Sequence, residues 1–259
     1  MKLVIVPARE GATWVKLGLR TFFRQPLAFT GLFLIFVAFV SLLSVIPWIG
    51  NVLGLALMPA VTLGFFVASR QASQGRFPMP TVLLSAFRSG PQHARNMGML
   101  GAMYAGAMLL VLALSAIVDG GDFASMYLLG GTMDLLTLQS PEFQGAAMLA
   151  LALYMPVSMM FWHAPALVHW QGISPVKSLF FSLVGCWRNR WAFTIYTCVW
   201  FSVFMAGTIL VALAGLVMGS EEAVGFAVFP LLLVMAAAFF ASTLFSFEGC
   251  FDATEVVLA

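Results

Sequence analysis

The chain has 259 residues, of which 62% are hydrophobic and only 8% charged, with a net charge of +2. Soluble domains carry about 25% charged residues, so this composition excludes an ordinary water-soluble fold and identifies an integral membrane protein. The small net charge also gives no support to nucleic-acid binding, and the basic residues are better matched to anionic lipid headgroups.

Six long uncharged runs divide the chain, at 27–46, 51–69, 97–118, 145–168, 191–218 and 223–247. Each matches the roughly 20 residues that a helix needs to cross about 30 Å of hydrocarbon. The apolar start, Met1 to Pro7, is too short for a signal-peptide core, so no cleavage is expected. Next, Lys16, Arg20 and Arg24 recur at i+4 and stack on one helical face, while Trp14, Val15, Leu19, Phe22 and Phe23 point elsewhere. This pattern predicts an amphipathic helix lying in the membrane interface. Arg24-Gln25 then introduces the first span, the second contains Pro59, and Gln74-Gly75 closes the hairpin.

A weaker interfacial segment, 82–88, follows Pro80 and is cut short by Gly90-Pro91. Arg95-Asn96 introduces the third span. The loop 119–144 is long and apolar, with Met126, Tyr127, Leu128, Leu129, Met133, Leu135, Leu136 and Leu138, so it should lie against the outer surface. Ser140-Pro141-Glu142 reads as the cap and first turn of the fourth span. That span carries Pro156 and ends at Gln171-Gly172. A third interfacial segment begins at Pro175, with Ser174, Ser178 and Ser182 forming a polar stripe beside Phe180, Phe181, Leu183 and Trp187. Arg188-Asn189 introduces the fifth span, Ser220-Glu221-Glu222 caps the sixth, and Glu248-Gly249 follows the span that holds Pro230.

The same order of parts thus occurs three times, and parallel repeats imply an axis along the membrane normal. The expected architecture is all-α: a single integral membrane domain, 1–259, with three parallel repeats of interfacial helix plus helical hairpin at about 8–75, 78–172 and 174–259. Twelve basic and four acidic residues fall on one side of the six spans, a balance of +8, whereas the opposite loops hold six acids, −6, and no base. Because Lys and Arg in short loops set orientation, both termini are expected in the cytoplasm.

The spans contain no Lys, Arg, Asp or Glu, which argues against ion pumping and cation symport. His163 and His169 lie six residues apart, about 120° around a helix, so they do not share a face as the i, i+4 ligands of a zinc helix do. Between Trp162 and Trp170 they read as an interfacial pair in an aromatic belt. Glu248 and Asp252 are expected to pair with Arg70, Arg95, Arg188 or Arg190, and loss of these contacts is expected to harm the protein more than loss of either histidine. Arg24, Arg95, Arg188 and Asn189 mark the starts of hairpins and complete the candidate positions. Nucleophile-elbow, zinc-protease, Walker and dinucleotide motifs are absent from the sequence, so no enzyme activity and no cofactor are expected. Cys186, Cys198 and Cys250 form no CxxC and are expected to stay reduced. The methionines, Met97, Met99 and Met103 among them, read as packing residues rather than copper ligands. Small residues, including Gly98, Gly101 and Gly106 in the third span and Gly207 in the fifth, should allow close helix contact.

Two stretches carry a resemblance. They are Gln25-Pro26-Leu27-Ala28-Phe29, and Ala164-Pro165-Ala166-Leu167-Val168 through Ser174-Pro175-Val176-Lys177-Ser178-Leu179-Phe180-Phe181-Ser182 to Cys186-Trp187-Arg188-Asn189. On these the chain resembles a family of uncharacterised six-span bacterial inner-membrane proteins. The resemblance implies an inner-membrane location and a six-helix body, and it brings no catalytic residues with it. The leading expectation is a non-enzymatic organising or assembly factor acting on anionic headgroups or other envelope proteins. The alternative is a permease or facilitator for a small or lipid-like solute, with proline-broken even spans exposing backbone groups around a site.

Overall fold

Hydrocarbon offers no partner to a backbone N–H or C=O, so each long apolar run must satisfy its own hydrogen bonds, and each forms a helix. A computed structural model of the chain describes residues 2–130, 133–218 and 221–252, with side chains at all of these but 218, 221–224, 226 and 252. In chain order these are β1 (Lys2–Leu3), α1 (Glu10–Arg24), α2 (Pro26–Ser44), α3 (Ile49–Ser73), α4 (Ser85–Arg88), α5 (Pro91–Asp119), α6 (Asp122–Leu129) and α7 (Leu135–Gln139). They continue with α8 (Pro141–Trp162), α9 (Ala164–Gln171), α10 (Pro175–Arg188), α11 (Arg190–Met218), α12 (Glu221–Cys250) and β2 (Phe251–Asp252). Six of these stretches are long and apolar enough to span a membrane, with α8 and α9 together making the fourth. The chain is therefore an all-α, six-span membrane protein, and among the described residues the β structure is the two-residue pairing of β1 with β2.

Local chemistry sets the boundaries. Ser140 Oγ accepts from the Phe143 N–H at 3.2 Å and Pro141 takes the first helical position, as the cap reading of α8 requires. Gly90 ends the short α4 region at φ 108°, a value open to glycine alone, and Pro91 then starts α5. The loop after α5 folds into α6 and α7. Asp119 accepts from the N–H groups of Gly121 (2.9 Å) and Phe123 (2.7 Å), which begins α6. Asp134 caps α7 through the Thr137 N–H at 3.1 Å, and this bonding to Thr137 holds its carboxyl below the usual carboxylate range.

The described residues form two compact units. The first takes in the described residues within 1–36, 63–85 and 185–259, and the second those within 37–62 and 86–184. In the first, α1 is the amphipathic helix that its pattern predicts, but its apolar stripe is covered by protein. Trp14, Val15 and Phe22 are buried where α1 packs along α11 and α12, with Trp14 against Phe193 and Tyr196 and Phe22 against Phe29 of α2. Three glycines allow this approach, because a Cβ at Gly11 would overlap the Ala192 carbonyl, one at Gly18 would overlap Ser242, and one at Gly249 would meet the Trp14 ring. An aromatic cluster extends the core: the Phe65 and Phe240 rings stack at 4.8 Å, with Phe33 at 5.8 Å from Phe240. Ser242 accepts from Trp200 Nε1 at 3.1 Å and bonds the Tyr196 hydroxyl at 2.5 Å, so the polar atoms under α1 are served.

In the second unit α5 packs along α8 and α9, with α6 against α5 and α8. Here the small-residue reading needs correction. Gly101 sits where a Cβ would overlap the Ala56 carbonyl, yet Gly98 and Gly106 have nothing within 4 Å of the Cβ position. Prolines also behave differently from expectation. Pro59, Pro156 and Pro230 lie inside continuous helices, and the helical break falls beside Pro165 instead.

Candidate functional site

The candidate positions separate by unit. In the first, Asn189 is buried and its side chain joins three backbone groups: its carbonyl accepts from the Val6 N–H at 2.8 Å, and its amide donates to the carbonyls of Val4 and Gly185, both at 3.0 Å. Beside it, Lys2 and Leu3 pair with Asp252 and Phe251, and the Val4 N–H donates to the Cys250 carbonyl at 2.9 Å. The start of the chain is thereby clasped to the end of α12. Glu248 pairs with Arg70 at 3.2 Å, one of the four partners expected for it. Both side chains are more than a third exposed, 35% and 40%, so the pair contributes about 0–1 kcal/mol rather than the cost of a buried one. Arg24 donates to the Ser73 carbonyl at 3.3 Å. Arg188 is exposed, and Arg190 lies 5.6 Å over the Trp191 ring. The Asp252 side chain lies outside the described residues.

Of the twelve basic residues, Arg70 is half-buried and the other eleven are exposed. Lys16, Arg20 and Arg24 stand on the open face of α1, opposite the face held by α11 and α12. A helix fixed along one side cannot roll, so these three cations keep a defined spacing.

In the second unit the histidines do not form a pair. His163 is fully buried at the junction of α8 and α9, where Pro165 interrupts the helix. Ser182 of α10 repairs the junction: its hydroxyl accepts from the His163 N–H at 2.9 Å and donates to the Met159 carbonyl at 2.7 Å. One hydroxyl therefore bridges the two backbone groups that an unbroken helix would have joined directly. His169 instead meets His93 of α5 edge to face, ring centroids 5.6 Å apart. Among the described residues no group of three or more His, Cys, Asp or Glu side chains is arranged to hold a metal ion. Arg95 is exposed near the start of α5.

The second unit also holds a cavity of about 410 Å³ between α5, α6 and α8. Met108, Phe123, Ala150 and Leu151 give it apolar walls, and Tyr127 and Tyr154 add hydroxyls. Tyr104, Tyr127 and Tyr154 lie within electrostatic reach of one another, so three of the four tyrosines of the chain converge here. Burial, and then Tyr154, raises the pKa of the Tyr127 phenol above its ordinary value. Sequence reading missed this site. Tyr127 carried a signal, as an amphipathic side chain in an apolar loop, but Tyr104 and Tyr154 lie 50 residues apart on separate spans, and no spacing links them.

A probable inner membrane protein of Burkholderia thailandensis is 38% identical over 258 residues, covering 98% of this chain and 96% of its own. The chain belongs to that family of bacterial inner-membrane proteins. Its six apolar helices are those of such a protein. No family profile and no solved structure matches the chain.

Proposed function

We propose that this protein is a non-enzymatic organising or assembly factor of the inner membrane, with its basic ends in the cytoplasm, where they gather anionic lipid headgroups. One observation carries this reading: Lys16, Arg20 and Arg24 remain exposed on a helix whose opposite face is locked into the core of the first unit. Near an anionic surface each such cation contributes about 1 kcal/mol. The seated helix adds to this, because less backbone freedom is lost when headgroups bind than a mobile segment would lose. Acidic surfaces of other envelope proteins would meet the same stripe.

The test is a triple variant, Lys16→Glu, Arg20→Glu and Arg24→Glu, in nanodiscs of phosphatidylethanolamine with and without phosphatidylglycerol. Wild-type protein should enrich the anionic lipid among the molecules that stay with it after detergent extraction. The triple variant should lose that enrichment and fail to complement a deletion strain at normal abundance. Unchanged lipid retention together with full complementation would leave the stripe merely solvated.

A second reading, a facilitator for a small or lipid-like solute, draws support from the interrupted fourth span and from the cavity in the second unit. A complementing chain that also moved a labelled lipid analogue across vesicles would favour it.

A further inference from the structure

We infer that the cavity of the second unit is a lateral binding site for one hydrocarbon tail of a membrane lipid, with the oxygen-bearing end of that tail at the hydroxyls of Tyr127 and Tyr154. The volume, about 410 Å³, falls within the roughly 300–1,000 Å³ of sites that enclose small ligands. No lining residue is charged. An ion or a strongly polar solute would lose its hydration there and gain only phenol hydroxyls in return.

Two of the three lining elements, α5 and α8, are membrane spans, so the medium beside the cavity is lipid rather than water. Leu151 lines the cavity and is 63% exposed, which marks an opening on the lipid side. Apolar cavities stay dry, and in a bilayer the molecule able to fill one is a hydrocarbon chain. On α8 the wall consists partly of Ala147 and Ala150, small residues one helical turn apart that leave the space open. Tyr127 and Tyr154 are exposed enough to reach a guest, 52% and 38%, whereas Tyr104 is buried and shares a hydrogen bond with Tyr154. A phenol hydroxyl donates to the ester, carboxylate or phosphate oxygens at the polar end of a lipid tail. This site is independent of the basic stripe on α1.

The experiment uses full-length protein in phosphatidylethanolamine vesicles carrying a phospholipid with a diazirine near the end of one acyl chain. After illumination, cross-linked residues are read by peptide mass spectrometry. Met108 and Ala150 should be labelled above Phe201 and Leu216, which stand on the exposed face of α11. Leu151→Trp at the opening and Ala147→Phe in the wall should each cut labelling of the cavity about tenfold, leaving Phe201 and Leu216 as before. Those two positions show that the variant is folded and in contact with lipid. A variant with Lys16, Arg20 and Arg24 reversed to Glu should keep cavity labelling, which separates this site from the proposed organising role. A diazirine fatty acid in a parallel sample distinguishes a free acid from a phospholipid tail, and preferential labelling by either supports the site. Labelling of Met108 and Ala150 no stronger than that of Phe201, or labelling indifferent to both filling variants, would overturn it.

Discussion

Asn189 and Glu248 both belong to the repeated pairs at hairpin ends, one at an entry and one at an exit, and they differ in consequence. Asn189 uses both halves of its amide, so Asn189→Asp keeps an acceptor for Val6 while losing both donations and setting a carboxylate against two carbonyl oxygens. The expected cost is about 2–3 kcal/mol, with faster amide exchange over residues 2–6. Glu248→Gln should cost less than about 1 kcal/mol, since both members of its pair with Arg70 are about a third or more exposed. Hydrogen exchange by mass spectrometry and melting in detergent check both, and slow exchange in Asn189→Asp would remove Asn189 from the clasp. The sequence marks both positions through the repeated pairs at hairpin ends. It does not disclose that one is buried and the other is not, because burial here depends on β1 and β2 meeting from opposite ends of the chain. His163 and His169 illustrate the same limit: a shared aromatic setting suggested one role, and the break at Pro165 sends one into the core and the other toward His93.

Among the elements, the spans and one cap were legible because they rest on local patterns: hydropathy for α2, α3, α5, α11 and α12, and Ser140-Pro141 for α8, whereas the expected cap at Ser220 lies outside the described residues. Contacts between helices were not. In α5 the glycines at 98, 101 and 106 look alike in sequence, yet only Gly101 touches another backbone. A paired prediction follows from this contrast. Gly18→Val would drive a branched side chain into Ser242, whose hydroxyl already serves Tyr196 and Trp200, and should lower stability by about 2–4 kcal/mol. Gly98→Ala meets nothing and should be neutral or stabilise α5 by up to about 1 kcal/mol. Thermal aggregation of the two variants in detergent, run beside wild type, separates them. Equal melting of Gly18→Val and wild type would mean that α1 is not seated as described.

At the scale of the whole chain, the sidedness of the basic residues predicts orientation. Reporter fusions at Gly75 and Gly172 should report cytoplasm, and those near Gly131 and Gly219, which lie outside the described residues, periplasm. A periplasmic signal at Gly75 would reverse the first hairpin. The clasp between β1 and β2 carries a consequence for biosynthesis as well. Val6 and Asn189 are 183 residues apart, and at roughly 5–20 residues per second a ribosome needs on the order of 10–40 s to make the intervening chain. Throughout that interval Trp14, Val15 and Phe22 have emerged while the helices that will cover them have not been synthesised. The nascent α1 must therefore shelter its apolar side on the bilayer surface or a chaperone, and the amphipathic pattern of a helix that ends in the core then also serves as its waiting place.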